Sequence, residues 1–314
     1  MNSDVCLDCG GALRAGLCGL EDTRFGAPGS YDIAVCATCG LEQTVPRPSA
    51  DALAALYEAH YNFGGSSPDS RYSRLRQALF NSMVYRLWLA IDGDVSFHGA
   101  NAERPGQRLL DIGCNEGRGL ALYRDNGFEV EGLELNRVAA EQARKHGFTV
   151  HGEAPENHRP ERPYDVVVLS NVLEHALEPR RTLTHIARML SPGGALWVSC
   201  PNSESWLRRL FGRHWINWHV PYHITHFSGP NLTRLLEESG FKVEESRVET
   251  PALWVAQSVI AALFAKPGQA TTALRRPLLV IMLMIETRSL LFPLLWLANL
   301  LGRGDCLVIR TRKV

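Results

Sequence analysis

LLDIGCNEGRGL, residues 109–120, is an apolar run ending on an acid, a turn bounded by Gly113 and Gly117, and the start of a helical pattern. A strand that passes through glycines into a helix N-terminus brings backbone amides close to a ligand at the strand's carboxyl end. The same alternation continues on both sides of this unit. RLLDI (108–112), FEVEGLEL (128–135), FTVHG (148–152), YDVVVLS (164–170) and ALWVSC (195–200) read as five strands, with helices expected over 117–126, 136–146 and 178–190. Ser191-Pro192-Gly193-Gly194 stops the last of these helices. FKVEESRVE (241–249) reads as a sixth strand after a helix over 229–239, and CLVIRTR (306–312) alternates like a seventh. The pattern predicts an α/β fold: a mostly parallel sheet with crossover helices.

The glycine turn gains meaning from Glu134, which ends the second strand, where a carboxylate can accept both ribose hydroxyls of an adenosine-containing cofactor. A dinucleotide enzyme would carry a more regular GxGxxG to seat a pyrophosphate, and this turn has Asn115 and Arg118 instead. Asp111 and Glu134 could each simply cap the helix that follows. Their joint placement at the carboxyl ends of successive strands favours ligand binding, because open α/β sheets bind ligands along that edge.

With LLDIGCNEG, GLELN, HGEAPEN, YDVVVLSNVLEHALEP and LSPGGALWVSCPN in this order, the chain resembles the S-adenosylmethionine-dependent methyltransferases with a seven-stranded Rossmann-like sheet. The resemblance spans about residues 105–250 plus the final strand. It implies that Asp111 and Gly113 hold the methionine moiety, with Asn115 and Gly117 in the same turn, and that Glu134 binds the ribose. It further implies that Glu153 and Ala154 lie near the adenine and that Ser170 and Asn171 line the cofactor. Asn115 stands where the commonest form has glycine, and Asn tolerates the left-handed conformation such a turn needs.

The segment after the fourth strand lacks the Asp/Asn-Pro-Pro-aromatic turn with which amino-methyltransferases grip a planar amine. Ser170-Asn171-Val172-Leu173-Glu174-His175 looks instead like small-molecule O- or C-methyltransferases, including the quinone-biosynthesis group. His175 would face the methyl donor as a general base, or be a helix-start histidine bonded to backbone. HWINWHVPYHITHF, residues 214–227, concentrates histidines and aromatic rings, and in the family this stretch resembles a lid over the substrate. His219 and Tyr222 are the expected acceptor contacts, and His223 and His226 join His175 as candidate catalytic residues. A zinc-hydrolase reading is poor: no HExxH helix and no nearby carboxylate accompany these histidines.

Cys6-x-x-Cys9-Gly and Cys36-x-x-Cys39-Gly, separated by 26 residues, are two knuckles of a zinc ribbon. Cys6, Cys9, Cys36 and Cys39 are the expected ligands of one structural Zn²⁺. Cys18, Cys114, Cys200 and Cys306 are expected to be buried thiols. MNSDVCLDCG shows no basic region followed by an apolar one, so a cytoplasmic chain is expected.

Hydrophobic residues at 45% and charged residues at 21% exclude wholesale disorder. The 33 basic and 33 acidic side chains leave no net charge, which argues against nucleic acid as a partner. Residues 251–314 hold eight basic and two acidic side chains, a local +6 balanced by −6 over residues 1–250. ALWVAQSVIAALFA (252–265) and PLLVIMLMIETRSLLFPLLWLANLLG (277–302) are strongly apolar. The first is too short to span a membrane, and Glu286, Arg288 and Pro293 are expected to break the second. Interfacial helices, with arginines toward anionic headgroups, fit better; a homodimer interface or an extra helical layer on the core is the competing reading.

The expected organisation is a zinc ribbon (1–48), a helical linker or cap (49–104), the methyltransferase core (105–250), the apolar insertion (251–304) and a final core strand (305–314). Within it, a helix is expected to be capped at Ser49, an amphipathic helix to cover 69–91 with Leu75, Leu79, Val84, Leu87 and Ile91 on its apolar face, and DGDVSFHGANAERPG (92–106) to be a linker. The ribbon, the WxxWHVPYHITHFS lid and the GRGDxLVIRTRK ending also resemble methyltransferases of bacterial cell-envelope polysaccharide and glycolipid assembly, and sugar C-methyltransferases. This implies a small-molecule or lipid-linked sugar acceptor and a cytoplasmic protein peripheral to the membrane's inner face. A zinc-ribbon RNA or protein methyltransferase and a non-catalytic cofactor-binding module are the competing functions.

Overall fold

In the computed structural model, which describes residues 5–60 and 82–314, the cysteine-rich segment forms β1 (Leu13–Ala15), β2 (Asp32–Cys36) and β3 (Glu42–Val45). Helix α1 (Ala50–Ala59) follows, its first turn capped by Ser49, whose hydroxyl accepts from the Ala52 amide. After α2 (Met83–Asp92) the alternating unit begins: β4 (Arg108–Ile112), α3 (Arg118–Asp125), β5 (Glu129–Leu133), α4 (Arg137–Lys145), β6 (Thr149–His151), β7 (Tyr164–Ser170), α5 (Pro179–Met189) and β8 (Leu190–Pro201). Next come α6 (Trp206–Phe211), β9 (Thr225–His226), α7 (Gly229–Glu238), β10 (Phe241–Glu249), α8 (Ala252–Phe264), α9 (Pro277–Leu300) and β11 (Cys306–Lys313).

The seven expected core strands form one sheet in the order β10-β11-β8-β7-β4-β5-β6, with only β11 running against the rest. Successive residues of a strand face opposite sides, so the central strands feed two cores. Leu110, Val167, Leu196 and Ile309 pack under α5 and α7, against Leu183, Ile186 and Leu232. Leu109, Val166, Val168 and Trp197 pack on the other face against Phe97, Tyr123 and Phe128. Strand order turns back between β4 and β7, which opens a crevice at their carboxyl ends.

A second sheet, β1-β2-β3-β9, joins the ribbon to the segment after β8, through the pairings Glu42↔His226 and Gln43↔Thr225. Asp8, within the first knuckle, has a shielded carboxylate that pairs with Arg180 of α5 and Arg234 of α7.

Several expectations change. Residues 92–106 are no free linker: Phe97 is fully buried against Trp197, and Asn126 donates to the carbonyls of His98 and Ala100. Leu75 and Leu79 lie outside the described residues, while Val84, Leu87 and Ile91 face outward. Cys18 is exposed, whereas Cys114, Cys200 and Cys306 are buried. The second apolar segment is not broken: α9 runs 24 residues, through Glu286, Arg288 and Pro293. Arg288 anchors this helix instead of ending it, reaching the buried Asp92 carboxylate at 2.6 Å and the Thr250 carbonyl at 2.7 Å. Pro293 removes one amide donor on an exposed side of the helix, which a helix held from its middle tolerates. By length and composition α9 could cross a membrane, and little of it is covered by the rest of the protein.

Candidate functional site

At the crevice, the turn after β4 is built as its glycines require. Gly113 and Gly117 have φ of 77° and 80°, and Asn115 takes 51°. A Cβ on Gly113 would lie 2.7 Å from Val172 Cγ2, and one on Gly117 3.0 Å from both Ala143 and Phe148. Either would displace packed atoms, so the turn keeps its shape only with glycine there. The Glu134 carboxylate accepts the amides of Asn115 (2.9 Å) and Asn136 (2.7 Å), tying the two strand ends together. Helix α4 is capped by the Asn136 side chain, and α3 starts at Gly117 with no side-chain cap, so Asp111 caps neither helix. Buried at the end of β4, Asp111 is pushed up to about 8, first by burial and then by the Glu134 charge.

The remaining expected cofactor residues line the same edge. Asn171, at φ 55°, donates its amide to the Ser199 carbonyl, and its side-chain oxygen is buried with no hydrogen-bond partner. Ser170 bonds Ser96 at 3.2 Å. Glu153, past β6 and next to Ala154, has one oxygen 2.8 Å from His158 Nδ1 and is partly exposed. His98 was not singled out in the sequence. It stands next to Asp111 across Gly119, where a Cβ would lie 3.0 Å from the Asp111 carboxylate and 3.2 Å from His98 Nε2.

The candidate acceptor side is a cluster of rings. His175 Nδ1 lies 2.8 Å from the Tyr57 hydroxyl and 3.1 Å from the Tyr222 carbonyl. His175 and His223 meet edge to face at 4.6 Å, and His219 Nδ1 is 3.3 Å from His223 Nε2. Tyr222 is buried, with its ring against Tyr57 and Phe25. Burial, reinforced by the charge of Arg24, pushes His175 down to about 4, so its ring is a neutral imidazole at neutral pH. His226 is turned to the ribbon: its Nε2 lies 3.0 Å from Thr44 Oγ1, and burial pushes it down to about 3. The carboxylate that the sequence reading found missing is Glu174, fully buried, 3.8 Å from His223 Nε2 and pushed up to about 8 by burial.

Residues 86–246, 161 of the chain's 314, match the family described as methyltransferase domain. The chain belongs to that family. Among its relatives is a protein of Mycolicibacterium smegmatis provisionally named as an S-adenosylmethionine-dependent methyltransferase, 33% identical over 45% of this chain and 54% of that protein. The ubiquinone biosynthesis O-methyltransferase of Proteus mirabilis is 32% identical over 37% and 51%. That of Maricaulis maris is 30% identical over 57% of this chain and 73% of its own. The chain thus spans about half the length of the first two relatives.

Outside this methyltransferase domain the four ribbon cysteines converge. Cys6 Sγ is 3.6 Å from Cys39 Sγ, and Cys9 Sγ is 3.5 Å from Cys36 Sγ. Sulfurs on a tetrahedral Zn²⁺ with bonds of about 2.3 Å lie roughly 3.8 Å apart, so the donor set fits that ion. The Asp8 amide donates to Cys6, and those of Thr38 and Cys39 donate to Cys36, which favours thiolates. Glu174, Thr44, Tyr57 and His98 are the site residues that sequence reasoning missed. Only Glu174, next to His175 in sequence, carried a signal that could have found it.

Proposed function

We propose that this chain transfers a methyl group from S-adenosylmethionine to a hydroxyl or carbon of a small or lipid-linked sugar acceptor. The observation that carries the reading is the Asp111–Glu134 pair at the carboxyl ends of adjacent strands, one acid caps no helix and the other is organised by two amides. Glu134 keeps lone pairs for the ribose hydroxyls, and Asp111 offers charge to the methionine ammonium. Gly113, Asn115 and Gly117 leave the turn backbone open to the ligand, Ser170 and Asn171 line the next strand end, and the free oxygen of Glu153 with Ala154 is assigned to the adenine. When bound, the cofactor supplies an electrophilic sulfonium methyl.

The chain's own part is to position the acceptor in line, exclude water and take its proton. His175, His219, Tyr222 and His223 are assigned to the acceptor end, where neutral imidazoles can receive a proton from a hydroxyl. His226, bonded to Thr44, acts by positioning the segment that carries them. Zn²⁺ on Cys6, Cys9, Cys36 and Cys39 is assigned a structural role. Relatives named as O-methyltransferases support a hydroxyl acceptor. The outward-facing apolar residues of α9, with Arg275 and Arg276 exposed at its start, support a peripheral place on an anionic membrane face and an acceptor with a lipid part.

The test is incubation of the purified protein and methyl-labelled S-adenosylmethionine with sugar-nucleotide and glycolipid extracts, with Glu134→Ala as control. Label in a glycan or glycolipid that the variant does not transfer is expected. Absence of cofactor binding at millimolar concentration would end the reading.

A further inference from the structure

The histidine cluster has a geometry that proton transfer alone does not call for. The ligand-capable atoms of His175, His219 and His223 all lie within 4.8 Å of one another. His223 Nδ1 donates to the Asn217 carbonyl at 2.8 Å. His175 Nδ1 faces the Tyr222 carbonyl, which can only accept. Both rings therefore carry their proton on Nδ1 and have the Nε2 lone pair as acceptor, that of His223 turned to His219 Nδ1, the arrangement in which a backbone carbonyl orients a metal-binding imidazole. The 3.3 Å from His219 Nδ1 to His223 Nε2 matches the edge of a tetrahedron whose metal–nitrogen bonds are about 2.05 Å, roughly 3.3 Å. Glu174 supplies an independent sign: it is 1% exposed, neither carboxylate oxygen has a hydrogen-bond partner, and Oε1 points at His223 Nε2 from 3.8 Å. A carboxyl group sealed from water with no hydrogen-bond partner, next to imidazole lone pairs, is placed to ionise and pair with a cation bound there.

We propose that His175, His219 and His223 bind a divalent cation of the zinc class, with Glu174 as its anionic partner. Three nitrogens and an oxygen suit Zn²⁺ or Co²⁺ better than Mg²⁺ or Ca²⁺, which prefer all-oxygen sites. The half-buried His175 is the open side of the site, and the turn Leu173–His175 follows directly on Asn171 and Val172 of the cofactor edge. A cation there would lie at the acceptor end and lower the pKa of a hydroxyl bound to it; that consequence rests on the methyl-transfer reading, whereas metal binding itself does not. Arg24, whose charge reaches all three rings, opposes the cation and limits its affinity.

Full-length protein stripped of metal and reloaded with Zn²⁺ or Co²⁺ tests this. Two metals per chain are expected at micromolar free metal, one with sulfur ligands at about 2.3 Å and one with nitrogen and oxygen ligands at about 2.0–2.1 Å by X-ray absorption. Changing both His175→Gln and His223→Gln should reduce the count to one while the cysteine-to-cobalt absorption persists, which also reports that the ribbon is folded. Arg24→Ala should bind the second metal several-fold more tightly. A single metal held only by sulfur in the wild-type protein, or a second site filled only at millimolar metal, overturns the proposal, and the wild-type spectrum decides even if the double variant does not fold. Calorimetry with S-adenosylmethionine in the same samples separates this outcome from failure of the methyl-transfer reading.

Discussion

Thr44, on β3 of the ribbon, donates its hydroxyl to the backbone carbonyl of His223 at 2.6 Å, and the same oxygen lies 3.0 Å from His226 Nε2. One fully buried side chain thus ties the cysteine-bearing sheet to the histidine segment, next to the β3–β9 pairing. The ribbon is in this sense a brace for the histidine segment, which is assigned to the acceptor. Thr44→Val keeps the shape and deletes both bonds, so it should cost about 1–3 kcal/mol of stability. If the brace reading is right, acceptor turnover falls while S-adenosylmethionine affinity stays within twofold. Equal losses in both, measured by steady-state kinetics and calorimetry, would make Thr44 a general stability residue.

Asp111 gives the free protein a pH dependence of definite sign. Its carboxyl is pushed up to about 8 in the fold, against about 3.9 in an unfolded chain. A folded value above the unfolded one means that the acid form contributes stability, complete below about pH 4 and lost as pH rises through about 8. Asp111→Asn removes this loss. The variant should melt above wild type by a margin that widens from about pH 4 to about pH 8 and then levels off. Cofactor binding should favour the ionised form through the methionine ammonium, so wild-type affinity should rise with pH over the same window. Thermal scans without ligand at five pH values check the first statement; a constant margin would place the cause elsewhere.

The central strands were legible because residues such as those of YDVVVLS are apolar on both faces, as a doubly covered strand must be, and the knuckle cysteines were legible because metal ligation imposes spacing. The partnerships that complete the sites were not. Thr44 and His223 are 179 residues apart, and Arg288 and Asp92 are 196 apart. A charge inside an apolar run reads as a break when its partner cannot be seen, which is why α9 looked interrupted. Phe97 lay in a polar stretch whose composition is that of a linker, and only its packing with Trp197 and Phe128, far off in sequence, explains its burial.

Glu134 accepts two backbone amides and is assigned the ribose, and its variants should separate the two roles. Glu134→Ala deletes the acceptor of the Asn115 and Asn136 amides together with the proposed ribose contact, and should weaken S-adenosylmethionine binding about 10- to 100-fold. Glu134→Gln retains an oxygen for one amide and should lose less. If calorimetry gives the alanine variant wild-type affinity, the ribose assignment is wrong.

With the proposed zinc on the four cysteines, a chelator should release the ribbon before the core, because β1, β2 and β3 are short and a shared ion would join the two knuckles. Hydrogen exchange followed by mass spectrometry should lose protection over residues 32–45 and 222–226 while 164–170 stays protected. Uniform protection after the metal is gone would remove the structural role assigned to it.

The apolar helix carries the prediction on which location depends. Leu290 and Leu294 of α9 are 76% and 49% exposed, and with Ile281, Ile285 and Trp296 they leave a wide apolar surface along a helix fixed to the core by Arg288. Such a surface is uncommon on a soluble monomer and is typical of a membrane or protein interface. The exposed Arg275 and Arg276 favour the membrane, since basic side chains at the end of an apolar helix match anionic headgroups. Vesicles containing anionic lipid should therefore carry the protein upward in flotation, and added salt should weaken this without abolishing it, because charge is screened beyond about 8 Å at physiological ionic strength while apolar burial is not. Leu290→Glu with Leu294→Glu should abolish flotation and leave the melting temperature near wild type, because neither side chain is buried. Arg288→Met is the contrasting variant. It strands the buried Asp92 carboxylate and should cost about 3–5 kcal/mol of stability. If instead the protein does not float at low salt and the double glutamate variant turns a dimer into a monomer, the apolar face is a subunit interface, and the lipid-linked acceptor loses its support.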